Sequence, residues 1–101
     1  MPKRVRNLQV AELYRSRPCV VCGARQNTCG DHIKTFGSGG ECVHENMWAL
    51  CPRHHLEKGT MGLQTFVRSY PQLEPHLRSK GWEYDGFTEK WIRITDQGWD
   101  D

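Results

Sequence analysis

Apolar residues near the start of the chain recur at close to helical spacing: Leu8, Ala11 and Tyr14, with Glu12 between them. This predicts a short helix over residues 7–16, with Asn7 as N-cap and Pro18 as its stop. Residues 19–30 lose the periodicity and hold two glycines, Asn27 and several polar residues, the composition of a knuckle and loop. Residues 31–36 alternate enough to predict a short strand, and Phe36-Gly37-Ser38-Gly39-Gly40 predicts a turn or loop. Met47 to Leu50 then supplies the returning strand of a hairpin. After Pro52, residues 53–59 have helical composition and end on Gly59, the predicted C-cap.

The remainder reads as scaffold. Leu63, Phe66, Val67 and Tyr70 keep helical spacing until Pro71, and Leu73 and Leu77 resume it until Gly81. Trp82, Tyr84 and Phe87, followed by Trp91, Ile92 and Ile94, predict two strands around an Asp85-Gly86 turn. The rings of Trp82, Tyr84, Phe87 and Trp91 are expected to form a small C-terminal core, stacking on bases being the alternative. Residues 96–101 are expected to fray. These elements predict an α+β fold in one domain over residues 1–101, with a motif core at 19–60 and supporting structure at 61–95.

Composition sharpens this picture. The chain has 101 residues, 37% hydrophobic and 26% charged, with a mean hydropathy of −0.75. So short and polar a chain builds only a small core and needs an added staple. No apolar run approaches the roughly 20 residues that span a bilayer. Met1-Pro2-Lys3-Arg4-Val5-Arg6 lacks the apolar stretch of a secretory signal, so the expected location is the cytoplasm. Five cysteines, an odd number in a reducing compartment, favour metal ligation over disulfides. Formal charge is only +2, but its distribution is uneven. Residues 1–25 carry Lys3, Arg4, Arg6, Arg15, Arg17 and Arg25 against Glu12, whereas residues 81–101 are mainly acidic. A basic head suggests an anionic partner, with nucleic acid the usual one and a merely solvated charged segment the alternative.

The strongest local signal is Cys19-Val-Val-Cys22 paired with Cys51-Pro-Arg-His54. Two ligand pairs with two-residue spacers can wrap one tetrahedral ion, which makes structural Zn²⁺ the expected staple. Cys29 and Cys42 lie outside both pairs; either can stand in for His54 as fourth ligand, or both are spare thiols. His44 and His76 have no partner in the pattern and read as structural or exposed. The clasp encloses Asp31-His32 and Asn46, and His55 follows its last ligand. Consecutive helical residues diverge by about 100°, so His55 cannot face the ion that His54 faces, and Lys58 shares the His55 side. Asp31 and His32 project to opposite sides of a strand unless it bends. One outcome is a second metal site beside an imidazole that is not a ligand.

The set Cys19-x2-Cys22, Asp31-His32-Ile33, Gly39-Gly40, Glu45-Asn46-Met47, Leu50-Cys51-x2-His54-His55 and Lys58 resembles the signature of the HNH endonucleases. The resemblance covers about residues 19–60. It departs at His54, where many members have a fourth cysteine, and at Asp31, where several have histidine. The continuation through Gly62, Phe66, Tyr70-Pro71 and Gly81-Trp82 is similar to small stand-alone HNH proteins of phages and prophages, which would put the protein in a bacterial host cytoplasm.

The resemblance implies a ββα-metal core in which Asp31 and His55 hold one catalytic divalent cation. It makes His32 the general base, and Asn46 the residue that holds the loop and orients His32. Lys34, Arg53 and Lys58 are the candidate contacts to DNA phosphates. A carboxylate–imidazole pair suits Mn²⁺, Ni²⁺ or Co²⁺ as well as Mg²⁺. The expected activity is metal-dependent hydrolysis of DNA, by nicking or double-strand cleavage, leaving 5′-phosphate and 3′-hydroxyl ends. The alternatives are a zinc-stapled nucleic-acid-binding module without turnover and a zinc scaffold that binds phage packaging or recombination proteins.

Overall fold

The computed structural model describes residues 8–94. The expected cap Asn7, the basic arm at 3–6 and the acidic tail at 96–101 lie outside the described residues. Helix α1 (Leu8–Leu13) leads into a knuckle, then strand β1 (Cys29–His32). Two 3₁₀ turns, Phe36–Ser38 and His44–Asn46, precede strand β2 (Met47–Leu50) and helix α2 (Pro52–Met61). Helices α3 (Leu63–Ser69) and α4 (Leu73–Ser79) follow, and strands β3 (Trp82–Asp85) and β4 (Lys90–Arg93) close the order. The fold is α+β with two separate two-stranded antiparallel sheets, β1–β2 and β3–β4. Among the described residues no helix is long and apolar enough to cross a membrane.

Strand β2 organises the interior because all four of its residues are buried. Its pleat sends successive side chains to opposite faces. Trp48 and Leu50 join Phe66, Val67, Leu73, Leu77, Trp82 and Trp91 in the main core. Met47 and Ala49 pack on the other face against Tyr14, Val10 and Ala11, which seats α1. Helices α3 and α4 have seven residues each, too short to persist alone. They are held by Phe66 and Val67, and by Leu73 and Leu77, which are almost wholly buried. Each such side chain contributes about 1.5–3 kcal/mol by leaving water.

Three boundaries differ from expectation, each for a visible reason. The first strand lies at Cys29–His32 rather than 31–36. Beyond His32 only Ile33 N–H continues the pairing, donating to the Asn46 carbonyl (2.7 Å). At Lys34 the Asn46 side chain replaces the partner strand: its Oδ1 accepts from Lys34 N (2.8 Å) and its Nδ2 donates to Lys34 O (3.0 Å). Helix α2 passes Gly59 and ends at Gly62, whose φ of 84° is the positive-φ geometry that glycine tolerates. The C-terminal turn spans residues 86–89 rather than Asp85-Gly86, so Phe87 stands at the tip, 97% exposed, and Tyr84 is 44% exposed. Only Trp82 and Trp91 of the four aromatic residues enter the core.

Candidate metal centre and the adjoining groove

The knuckle begins where Cys19 accepts Gly23 N–H at its carbonyl and donates its own N–H to Ala24 O, both at 2.8 Å. Val20 N–H donates to Ala49 O (2.9 Å), which fixes the knuckle against β2. On the other side Cys51 occupies the N-cap position of α2 and Pro52 its first turn, where proline's missing N–H costs nothing. His54 then lies one turn into the helix. The Sγ atoms of Cys19, Cys22 and Cys51 and a ring nitrogen of His54 all fall within 4.8 Å of one another. Cys22 and Cys51 sulfurs are 3.8 Å apart, and His54 Nδ1 is 3.7 Å from Cys19 Sγ and 3.2 Å from Cys51 Sγ. Thiolates about 2.3 Å from a tetrahedral zinc lie about 3.8 Å apart, so the four donors can hold a metal ion such as zinc.

The surroundings prepare the quartet for a cation. Burial raises the Cys19 pKa, but the N–H groups of Cys51, Cys22 and Val21 and the His54 ring outweigh it and bring the thiol down to about 6. A ligand already inclined to the thiolate releases little proton on binding metal. The His54 ring meets Tyr70 edge-on at 5.2 Å, and the Tyr70 hydroxyl donates to Glu57 on the next turn of α2. That contact is the main reason Glu57 lies below the usual carboxylate range and Tyr70 above the usual phenol. Cys29 is outside the quartet, half-buried, its thiol pushed up first by burial and then by Asp31.

A second group of polar side chains collects where β1 faces α2. Asp31 pairs with Trp48 across the sheet, so the two share a face. Trp48 Nε1–H donates to Asp31 Oδ2 (2.9 Å), and Lys58 Nζ approaches the same oxygen at 3.0 Å. His55 Nε2 stands 3.3 Å from the other oxygen, Oδ1. Two donors sharing a divalent cation at about 2.1 Å lie about 3 Å apart, so Oδ1 and Nε2 suit such an ion while Oδ2 is engaged behind them. His55 is half exposed on its side chain and Asp31 is 11% exposed.

Lys58 corrects an expectation. Its side chain is 4% exposed, and it donates to His32 O (2.9 Å) as well as to Asp31. It is an internal support and not a surface contact for phosphate. Lys34 and Arg53 are exposed, the latter 3.6 Å from Glu57.

His32 pairs with Met47 and lies on the opposite face of β1 from Asp31. Its Nε2 is 3.0 Å from Sγ of Cys42, a buried thiol that the sequence left without a role. Among the described residues, the Cys19–Cys22–Cys51–His54 quartet is the cluster of three or more such donors, and His32 does not join Asp31 and His55 in one.

Asn46 is 1% exposed. Besides its two bonds to Lys34, its Nδ2 donates to Glu41 O (2.9 Å), closing the loop over 33–45. The loop can close because residue 40 is glycine: a Cβ there would lie 1.8 Å from Lys34 O. Asn46 makes no hydrogen bond to the His32 side chain among those described; its hold is on the loop. His44 is exposed, with the Tyr14 hydroxyl 3.0 Å from its Nδ1. His76 is half-buried with its ring 6.2 Å from Trp48, and burial pushes its pKa down.

The Asp31–His55 pair opens into a groove of about 680 Å³ that runs between α2 and β4. Comparison with protein-family models, curated proteins and solved structures finds no match for this chain.

Proposed function

We propose that the protein is a metal-dependent DNA endonuclease of the HNH type, as its sequence signature implies. The observation that carries this reading is the Asp31 Oδ1–His55 Nε2 pair, 3.3 Å apart at the mouth of an open groove. It sits on a strand–strand–helix unit that the Cys19–Cys22–Cys51–His54 quartet fastens at the helix start. Asp31 and His55 would hold the divalent ion, whether Mg²⁺, Mn²⁺, Ni²⁺ or Co²⁺, which would supply Lewis-acid chemistry for phosphodiester hydrolysis. Trp48 and Lys58 fix the Asp31 carboxylate so that Oδ1 faces His55. Lys58 also steadies the backbone of the general base through His32 O. In this reading His32 would take the proton from the attacking water, a task suited to an imidazole near neutral pH. To do so its ring must turn away from Cys42 Sγ, 3.0 Å from Nε2 on the other face of β1. Asn46 keeps the loop that follows His32 closed on itself.

A second reading rests on the same carboxylate. Asp31 already has Lys58, Trp48 and His55 around it, so the cluster can serve as a buried ion-pair knot in a zinc-stapled binding module. Plasmid nicking separates the two. The endonuclease cleaves supercoiled plasmid with one of the four cations and stops with EDTA, and His32→Ala lowers the rate about 10²–10⁴-fold. Absence of nicking with all four leaves the binding module, whereas an undiminished His32→Ala rate removes His32 from the mechanism.

A further inference from the structure

The groove beyond Asp31 and His55 has a second wall that sequence reading assigned to scaffold. That wall is β4, whose Lys90, Trp91, Ile92 and Arg93 all line it. The hairpin is held there by three contacts to distant parts of the chain. Trp91 N–H donates to Gln64 Oε1 at the start of α3 (2.9 Å), and Trp82 Nε1–H donates to Glu45 O (2.7 Å). Arg93 lies 3.6 Å from Glu41, which is 56% exposed on its side chain.

The charges on the lining are one-sided. Lys34, Lys58, Lys90 and Arg93 face one acid, Asp31. Asp31 is paired with the buried Lys58, and Arg93, its side chain 11% exposed, pairs with Glu41. The exposed Lys34 and Lys90 therefore leave the groove net positive beside the carboxylate–imidazole pair. Its aromatic rings, Trp82 and Trp91, are 2% and 7% exposed, so they are not available as stacking platforms. A positive groove with buried rings favours phosphates over bases.

We propose that the β3–β4 hairpin is the second wall of a DNA-backbone groove, with Lys90 contacting a phosphate of the strand that passes Asp31 and His55. The identity of the ligand as DNA rests on the nuclease reading above; the role of Lys90 is tested without turnover. The zinc-loaded full chain is titrated with a fluorescent duplex oligonucleotide in the absence of added Mg²⁺, Mn²⁺, Ni²⁺ or Co²⁺, across a range of salt.

Lys90→Ala weakens binding severalfold at low salt and flattens the log affinity–log salt slope by about 0.9. Lys90→Arg restores both, and Arg68→Glu, on the exposed side of α3 and away from the lining, changes neither. Circular dichroism of each variant checks that the exposed substitution leaves the fold intact.

Equal affinity and slope for Lys90→Ala and the parent overturn the proposal, as does an equal loss with Arg68→Glu or an absence of DNA binding. Lys90-dependent binding of a polyglutamate peptide without binding of DNA also overturns it, in favour of an acidic protein partner. Plasmid cleavage with Lys90-independent binding sinks the wall and spares the nuclease; Lys90-dependent binding with no cleavage does the reverse.

Discussion

The stretch from the knuckle to the end of α2 and the stretch from α3 to β4 are held together differently. In the first, polar side chains hold the backbone: Asn46 closes a loop with three hydrogen bonds, Lys58 joins Asp31 to His32 O, and four metal-competent donors converge. In the second, Phe66, Val67, Leu73, Leu77, Trp82 and Trp91 supply most of the order by burial. The two meet at β2, where Trp48 and Leu50 belong to the apolar core and Trp48 also orients Asp31. Chemistry is concentrated where packing alone is insufficient, and the apolar half keeps the polar half in register.

If that contrast is correct, removing the metal has the largest effect. Structural zinc contributes on the order of 10 kcal/mol to a small fold, comparable to the whole stability of a typical domain. Chelation of the purified protein is expected to collapse the far-UV circular dichroism, and Cys51→Ser to bind less than one zinc per chain and to melt far below the parent. A Cys51→Ser protein that retains one zinc and the parent Tm would remove Cys51 from the quartet.

The next test sets a buried charge in one half against a buried leucine in the other. Lys58→Met leaves the Asp31 carboxylate without its cation and is expected to cost about 3–5 kcal/mol. Leu77→Ala opens a cavity in the wholly apolar core and costs about 2–5 kcal/mol. The magnitudes overlap, but their coupling differs. Adding Asp31→Asn removes the stranded charge and should recover much of the Lys58→Met loss, whereas its effect should simply add to that of Leu77→Ala. Denaturant titration of the single and double variants reads this directly; equal additivity in both pairs would show that the Asp31–Lys58 contact carries no special coupling.

These differences also account for what was legible in the sequence. Paired spacing exposes a metal quartet because each pair must bend around one ion, and period reveals helices because packing repeats with it. Both kinds of signal are local, and the Met47–Leu50 strand, the α3 and α4 helices and the Cys19, Cys22, Cys51 and His54 cluster match the expectations they raised. Contacts across the fold leave no such mark. That Lys58 turns inward depends on Asp31 being opposite Trp48 in the sheet register. Cys42 meets His32 only because the loop folds back over ten residues. Lys90 and Arg93 reach the groove because Gln64 and Glu45 anchor a hairpin distant in sequence. The first strand was displaced for a related reason, since a single asparagine side chain can substitute for a strand partner.

The smallest effect belongs to the exposed hairpin tip, and its pH dependence separates the two halves. Asp85 Oδ2 accepts from Thr88 Oγ1 (2.6 Å) and its Oδ1 from Phe87 N–H (3.2 Å), and these bonds, Thr88 first, hold its carboxyl below the usual range. With a folded value below the unfolded value of about 3.9, the contribution is complete above 3.9 and is lost only as pH falls through the lower folded value. Between about pH 5 and 8 the tip should therefore be insensitive to pH, whereas protons compete with metal for Cys19, whose thiol is lowered to about 6, in that window. Asp85→Asn should accelerate amide exchange at Phe87 severalfold at neutral pH while leaving zinc content and Tm unchanged. Exchange at Phe87 that, after correction for intrinsic rates, rises on acidification from pH 7 to 5 in step with zinc release would show that the tip is governed by the metal centre and that the two halves share one source of order.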